Sequence, residues 1–131
     1  MLESIVHPLV AACRAQFLTA AAGAREPLVV LDVPLLYETR GDEACDAVAV
    51  VSTRNPELQR ARVLARPDMT SAKLDAILAR QLPDAEKCAR ATFVIDTACS
   101  ADETRQAVTA LVEKLRASWG SKEAEPTTEH A

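Results

Sequence analysis

The sequence predicts an α/β fold with a parallel sheet, on three observations. Short apolar runs at Leu28–Leu31, Ala47–Val51 and Thr92–Asp96 suit strands buried on both faces. Stretches with helical apolar spacing separate and flank them, as parallel strands require. Aromatics are few (Phe17, Tyr37, Phe93 and Trp119), so aliphatics and alanines must build a core of helices laid closely on the sheet.

A chain of 131 residues, 49% hydrophobic and 26% charged, has the size and composition of about one soluble domain. Its net charge of −4 offers nothing to attract nucleic acid or an anionic membrane. No apolar run approaches the ~20 residues of a membrane span, and the amino terminus lacks the basic-then-apolar pattern of a signal peptide. The cytosol is the expected compartment. Cys13, Cys45, Cys88 and Cys99 are widely spaced, with no C-x-x-C pair and only His7 and His130 to join them. Reduced structural thiols are expected, and no zinc site.

Leu2, Ile5, Val6, Leu9, Cys13 and Phe17 recur at helical spacing and predict a helix over residues 1–22. Pro8 removes a hydrogen bond there, so a kink at His7-Pro8 or a fresh start with Pro8 as the first helical residue is expected. The first strand stops at Asp32, because Pro34 cannot donate to a ladder. Loops at the carboxyl ends of parallel strands bind ligands in open α/β sheets. Asp32 is therefore a candidate polar edge, followed by Pro34-Leu35-Leu36-Tyr37-Glu38. The second strand ends at Ser52-Thr53, and Asn55 caps a helix with Pro56 at its first position. This helix is basic. Arg62 and Arg66, four apart, share one face, and could grip a polyphosphate through paired charge-assisted bonds or simply face solvent.

Pro67-Asp68-Met69 breaks that helix, and Thr70 caps a second one with Leu74, Ile77 and Leu78 on its apolar face. Two short helices between strands, one bearing arginines, read as a cover over a site. After Pro83 a third short helix, residues 84–91, leads into the last strand. Ser100 and Glu103 have capping-box spacing, and the helix they open carries Val108, Leu111, Val112, Leu115 and Trp119 on one face until Gly120 closes it. Ser121 to Ala131 has no apolar pattern and is expected to be a disordered tail.

Five patterns follow one another along the chain: Leu2-x-x-Ile5-x-His7-Pro8, Asp32-x-Pro34-Leu35-Leu36-Tyr37-Glu38, Gln59-x-x-Arg62-x-x-x-Arg66, Ala79-Arg80-Gln81 and Ala91-x-Phe93-Val94-Ile95-Asp96. In this order and spacing they resemble the dephospho-CoA kinase family, from Leu2 to about Trp119. The resemblance implies a partial P-loop kinase-like architecture of three parallel strands flanked by helices, with a small helical lid. Residues 1–53 and 83–119 would be core, with 1–22 as an acceptor-binding helical region; 54–82 would be the lid and 120–131 a tail. It further implies ATP-dependent phosphorylation of the ribose 3′-hydroxyl of dephospho-CoA, the last step of coenzyme A biosynthesis, with ATP, Mg²⁺ and dephospho-CoA as ligands.

On that resemblance Arg62 and Arg66 are lid arginines that close on the ATP phosphates, Arg62 being the catalytic one. Thr97 and Ala98 stand where the loop after the last strand approaches adenine. His7 and the segment Pro34, Leu35, Leu36, Tyr37 and Glu38 fall on the acceptor side. The chain departs from the family pattern at Thr97, where Asn is usual, at Thr92, where Asp is common, and at Pro67, where an acid is frequent.

The family's G-x-x-x-x-G-K-[ST] phosphate loop has no counterpart here, since Gly23, Gly41 and Gly120 begin no such pattern. That loop supplies phosphate-cradling amides, a lysine and the hydroxyl that binds Mg²⁺. The expectation is a truncated kinase chain, inactive alone, that could self-associate through exposed sheet edges. The alternative is a non-catalytic α/β module binding CoA-like ligands or a protein partner. A nucleotide kinase with another acceptor is disfavoured by the His-Pro and Pro-Leu-Leu-aromatic-Glu patterns.

Overall fold

A computed structural model describes residues 1–120. Its elements in chain order are α1 (Leu2–Gly23), a 3₁₀ turn (Gly41–Ala44), β1 (Ala49–Ser52), α2 (Pro56–Leu64), α3 (Ser71–Leu78), α4 (Asp84–Arg90), β2 (Phe93–Asp96) and α5 (Ala101–Gly120). The expected tail, Ser121–Ala131, lies outside the described residues. The chain divides into two compact units, one holding Met1–Asp32 with the stretch from Val112, the other Val33–Leu111.

The second unit contains the sheet. β1 and β2 pair in parallel, with Ala49 opposite Phe93 and Ser52 opposite Asp96. Side bonds lengthen the ladder at both ends. The Thr92 and Phe93 amides donate to the Val48 carbonyl at 2.9 and 3.0 Å, the Val48 amide donates to the Thr92 hydroxyl at 3.1 Å, and the Thr97 amide donates to the Ser52 carbonyl at 3.0 Å. α4 packs on β1, and α2 packs on α3. Tyr37, Val50 and Leu74 are the buried hydrophobics among the described residues.

Two expectations about strands need correcting. Leu28–Leu31 forms no strand, and Val30 is 73% exposed. An apolar run becomes a strand only where a neighbour takes its N–H and C=O groups, and the one ladder among the described residues is β1–β2. The three-stranded expectation thus meets a two-stranded sheet. Nor is β1 buried on both faces: Val50 and Ser52 turn inward while Val51 is 63% exposed, the alternation of a sheet covered on one side.

In the other unit, α1 runs unbroken through Pro8. The helix begins at Leu2 rather than afresh at Pro8, and the proline, in its second turn, leaves the Ser4 carbonyl without its helical N–H. No residue of α1 is buried. By length and composition α1 is also apolar enough to cross a membrane, with a mean hydropathy of 1.3. That corrects the expectation of no span-length apolar stretch: the alanines between its polar residues raise the mean. The same test passes core helices of soluble proteins.

The caps form as their sequences require. The Asn55 side chain accepts the Leu58 amide at 3.0 Å and the Thr70 hydroxyl accepts the Lys73 amide at 3.3 Å. At α5 the Glu103 carboxylate accepts the Ser100 amide at 2.9 Å while the Ser100 hydroxyl accepts the Glu103 amide at 3.2 Å. The Ser100 hydroxyl also donates to that carboxylate, and this bond, with the amide's, lowers the Glu103 pKa. Along the helix Leu111, Val112, Leu115 and Trp119 are half-buried, whereas Val108 is exposed. Replacing Ser100 by Ala is expected to cost about 1 kcal/mol, read as a lower urea midpoint with an unchanged slope.

Candidate functional site

Parallel pairing brings the carboxyl ends of β1 and β2 to one edge of the sheet, and a cleft of about 230 Å³ opens there. Val51, Ser52 and Thr53 line it from the end of β1, and Thr97 from the end of β2. α2 contributes Gln59, Arg62 and Val63; Arg66 and Asp84 complete the wall.

Ser52, 4% exposed, is the polar centre of this edge. Its hydroxyl donates to Asp84 Oδ2 at 2.6 Å and accepts the Arg54 amide at 2.9 Å. That second bond helps to hold Arg54 in the left-handed conformation, with φ at 49°, where a side chain other than glycine's is uncommon. The chain thereby turns sharply from β1 into α2. Arg62 Nη1 donates to the Thr97 carbonyl at 2.7 Å, so the helix is tied across the cleft to the end of β2. Arg60 pairs with Asp75 at 2.7 Å and links α2 to α3; both side chains are exposed, so the pair orients the helices more than it stabilises them.

Arg66 does not sit on α2 as its spacing suggested. The helix ends at Leu64, and the Arg66 amide closes the turn on the Val63 carbonyl. Pro67 explains this, because the residue before a proline is crowded out of the helical conformation. Arg66 nevertheless reaches the same cleft as Arg62. Two guanidiniums beside a strand-end loop suit an anionic ligand with several oxygens.

The Pro34–Glu38 segment forms a turn elsewhere in this unit. Pro34 and Leu35 are exposed. Leu36 lies against Gly41, where a Cβ would stand 2.8 Å from Leu36 Cδ1, so a larger residue there would make the leucine side chain shift. Tyr37 is 8% exposed, with the Arg90 guanidinium 4.3 Å from its ring centroid, and burial raises the pKa of its phenol. Glu38 Oε1 accepts the Leu82 amide at 2.9 Å and meets Lys87 Nζ at 3.1 Å, both side chains being under one-fifth exposed. Burial is the largest single influence on the Glu38 carboxyl and opposes ionisation. Its own amide, that of Leu82 and the Lys87 ammonium together outweigh it and bring the pKa below the ordinary value. Tyr37 Oη and Glu38 Oε2 are buried with no hydrogen-bond partner.

Of the candidates from sequence, Arg62, Arg66 and Thr97 come together at one cleft. Ala98 is exposed beside it in sequence, its amide bonded to Asp96 Oδ1 at 2.7 Å. His7 and Asp32 are exposed and belong to the other unit. Ser52, Asp84, Leu82 and Lys87 carry the polar framework and were not singled out by spacing. The sequence marks Ser52 as a strand end and Asp84 as the residue after the helix-stopping Pro83, both only as element edges.

A dephospho-CoA kinase family model matches residues 1–103. Among curated relatives, the dephospho-CoA kinase of Rhodopseudomonas palustris is 54% identical over 112 residues, 86% of this chain and 56% of the relative. That of Bradyrhizobium diazoefficiens is 57% identical over 104 residues, 79% of this chain and 52% of the relative. That of Rhizobium meliloti is 49% identical over 116 residues, 88% and 59% respectively. The chain thus spans about half the length of the curated relatives it matches.

Because the Glu38 pKa is lowered in the fold, its stabilising contribution is complete above about 4.5, the ordinary value, and is lost as pH falls through the lowered one. Glu38→Gln is therefore expected to be less stable than the parent at pH 7, with the two converging in the acid limb below pH 4.5. Urea midpoints measured from pH 7 to pH 3 check this.

Proposed function

This chain belongs to the dephospho-CoA kinase family, and we propose that it supplies the part of such an enzyme that closes over ATP and meets the acceptor. The reaction is transfer of the ATP γ-phosphate to the ribose 3′-hydroxyl of dephospho-CoA. Support comes above all from the cleft, where Arg62 and Arg66 converge beside Thr97 at the carboxyl ends of two parallel strands. Phosphoryl transfer is accelerated by positioning and by stabilising charge on the transferring group. Arg62 spends one donor on the Thr97 carbonyl and keeps the others for phosphate oxygens. Arg66 adds a second fork.

Residues 54–82 act as the lid, entered at the left-handed Arg54 and left at Leu82-Pro83. Thr97 and Ala98 form the adenine edge and Pro34–Glu38 an acceptor segment; the family resemblance assigns acceptor binding to His7 as well. Magnesium neutralises phosphate charge in such transfers. What we assign to this chain in that charge balance is the arginine pair of the cleft, Arg62 and Arg66.

We place the protein in the cytosol, with no nucleic-acid partner. α1 lies inside the matched residues 1–103, which favours a helix of the kinase fold over a helix in a bilayer. The exposed Val51 face of β1 and the unpaired Leu28–Leu31 run leave apolar surface through which the isolated chain self-associates.

The 131-residue chain alone, lacking a glycine-rich phosphate loop, is expected to give no ATP-dependent turnover of dephospho-CoA. Grafted in place of the matching segment of the Rhodopseudomonas palustris kinase, it is expected to support turnover. Arg62→Ala in the graft should then lower kcat by more than about tenfold, since arginines on a transferring phosphoryl can contribute on the order of 10³. Steady-state assays of the three proteins decide: turnover by the chain alone, or an unchanged kcat in the variant, refutes the role concerned. Sedimentation velocity over a concentration series tests self-association, and a concentration-independent monomer excludes it.

A further inference from the structure

We infer that Glu38 is a positioning residue that couples the acceptor segment to the exit hinge of the helical insertion, and through it to the arginines of the cleft. This rests on the lid and acceptor reading above. The insertion leaves the sheet at Ser52 and returns at Leu82–Asp84, and both of its ends are fastened. Ser52 Oγ binds Asp84 at 2.6 Å, joining departure to return. The Leu82 amide binds Glu38 Oε1 at 2.9 Å, joining the return to the last residue of the Pro34–Glu38 turn.

Lys87 Nζ meets the same oxygen at 3.1 Å, so one carboxylate oxygen spans the turn, the hinge and α4. Its partner oxygen is buried and unpartnered, which makes this an expensive way to fill the position if packing were its purpose. An ionised acceptor is the strongest hold available on a backbone amide. The Arg90–Tyr37 stack fixes the neighbouring residue to α4, so the turn and that helix shift together. An acceptor that settles on the exposed Pro34 and Leu35 therefore moves the point from which the arginine-bearing helices swing.

The test is a binding cycle in the grafted kinase. Affinity for a non-hydrolysable ATP analogue is measured by calorimetry without and with saturating dephospho-CoA. The unsubstituted graft is expected to show a coupling factor of about fivefold or more. Glu38→Ala should bring that factor to within about twofold of one, while Glu38→Gln, which keeps an oxygen for the Leu82 amide, retains most of it. A merely structural Glu38 would weaken both affinities and leave the factor intact, and that result overturns the proposal. So does an unsubstituted graft with no coupling. Should Glu38→Ala fail to fold, hydrogen exchange at the Leu82 amide of the unsubstituted graft decides: it slows on adding dephospho-CoA alone, and unchanged exchange overturns the proposal. A graft that binds both ligands without phosphorylating refutes the functional reading instead, and leaves the coupling to be judged by the binding cycle.

Discussion

Strands that run the same way cannot be joined by a tight turn; the chain must travel back across the sheet before the second can start. Between Ser52 and Phe93 that journey is made by α2, α3 and α4. α4 is the return leg. Its seven residues span about 10 Å. The four residues of β1 span about 13 Å. A helix of nearly the strand's own length thus starts at the carboxyl edge, beside Ser52, and delivers the chain to the amino edge for β2. α2 and α3 are surplus to that crossing, which leaves them at the edge where the strand ends gather.

The polar framework follows from the same route. A chain that departs and returns at one edge brings residues from both legs within reach, and Ser52 with Asp84 is that meeting. Buried, the serine hydroxyl must both donate and accept, and it does so with one partner from each leg. The arginines depend on this arrangement, since Arg54 sets the direction in which α2 leaves and Arg62 reaches back across the opening to Thr97.

What could be read from sequence was what is local. Asn55, Thr70 and the Ser100–Glu103 pair act within one helical turn, and each caps as its spacing says. The crossover helices and two strand positions followed from runs and breaks of a few residues. Leu28–Leu31 forms no strand despite its pattern, because an apolar run reports a tendency to burial, whereas a strand is a property of two segments. Arg66 was displaced by its neighbour, the proline after it outweighing the helical spacing before it. A motif marks Glu38, but its partner Leu82 lies 44 residues away, and no periodicity connects them. For the same reason the framework residues of the cleft stayed silent until the fold assembled them.

The scarcity of aromatic side chains has a practical side. The chain has a single tyrosine and a single tryptophan. Tyr37 lies in the unit that holds the sheet, shut under Arg90, and Trp119 lies in the other. Ultraviolet spectroscopy can therefore watch each unit by its own chromophore, with no label and no substitution. The phenolate absorbance that develops in alkali speaks only for the turn beside Glu38, and indole emission speaks only for the far end of α5.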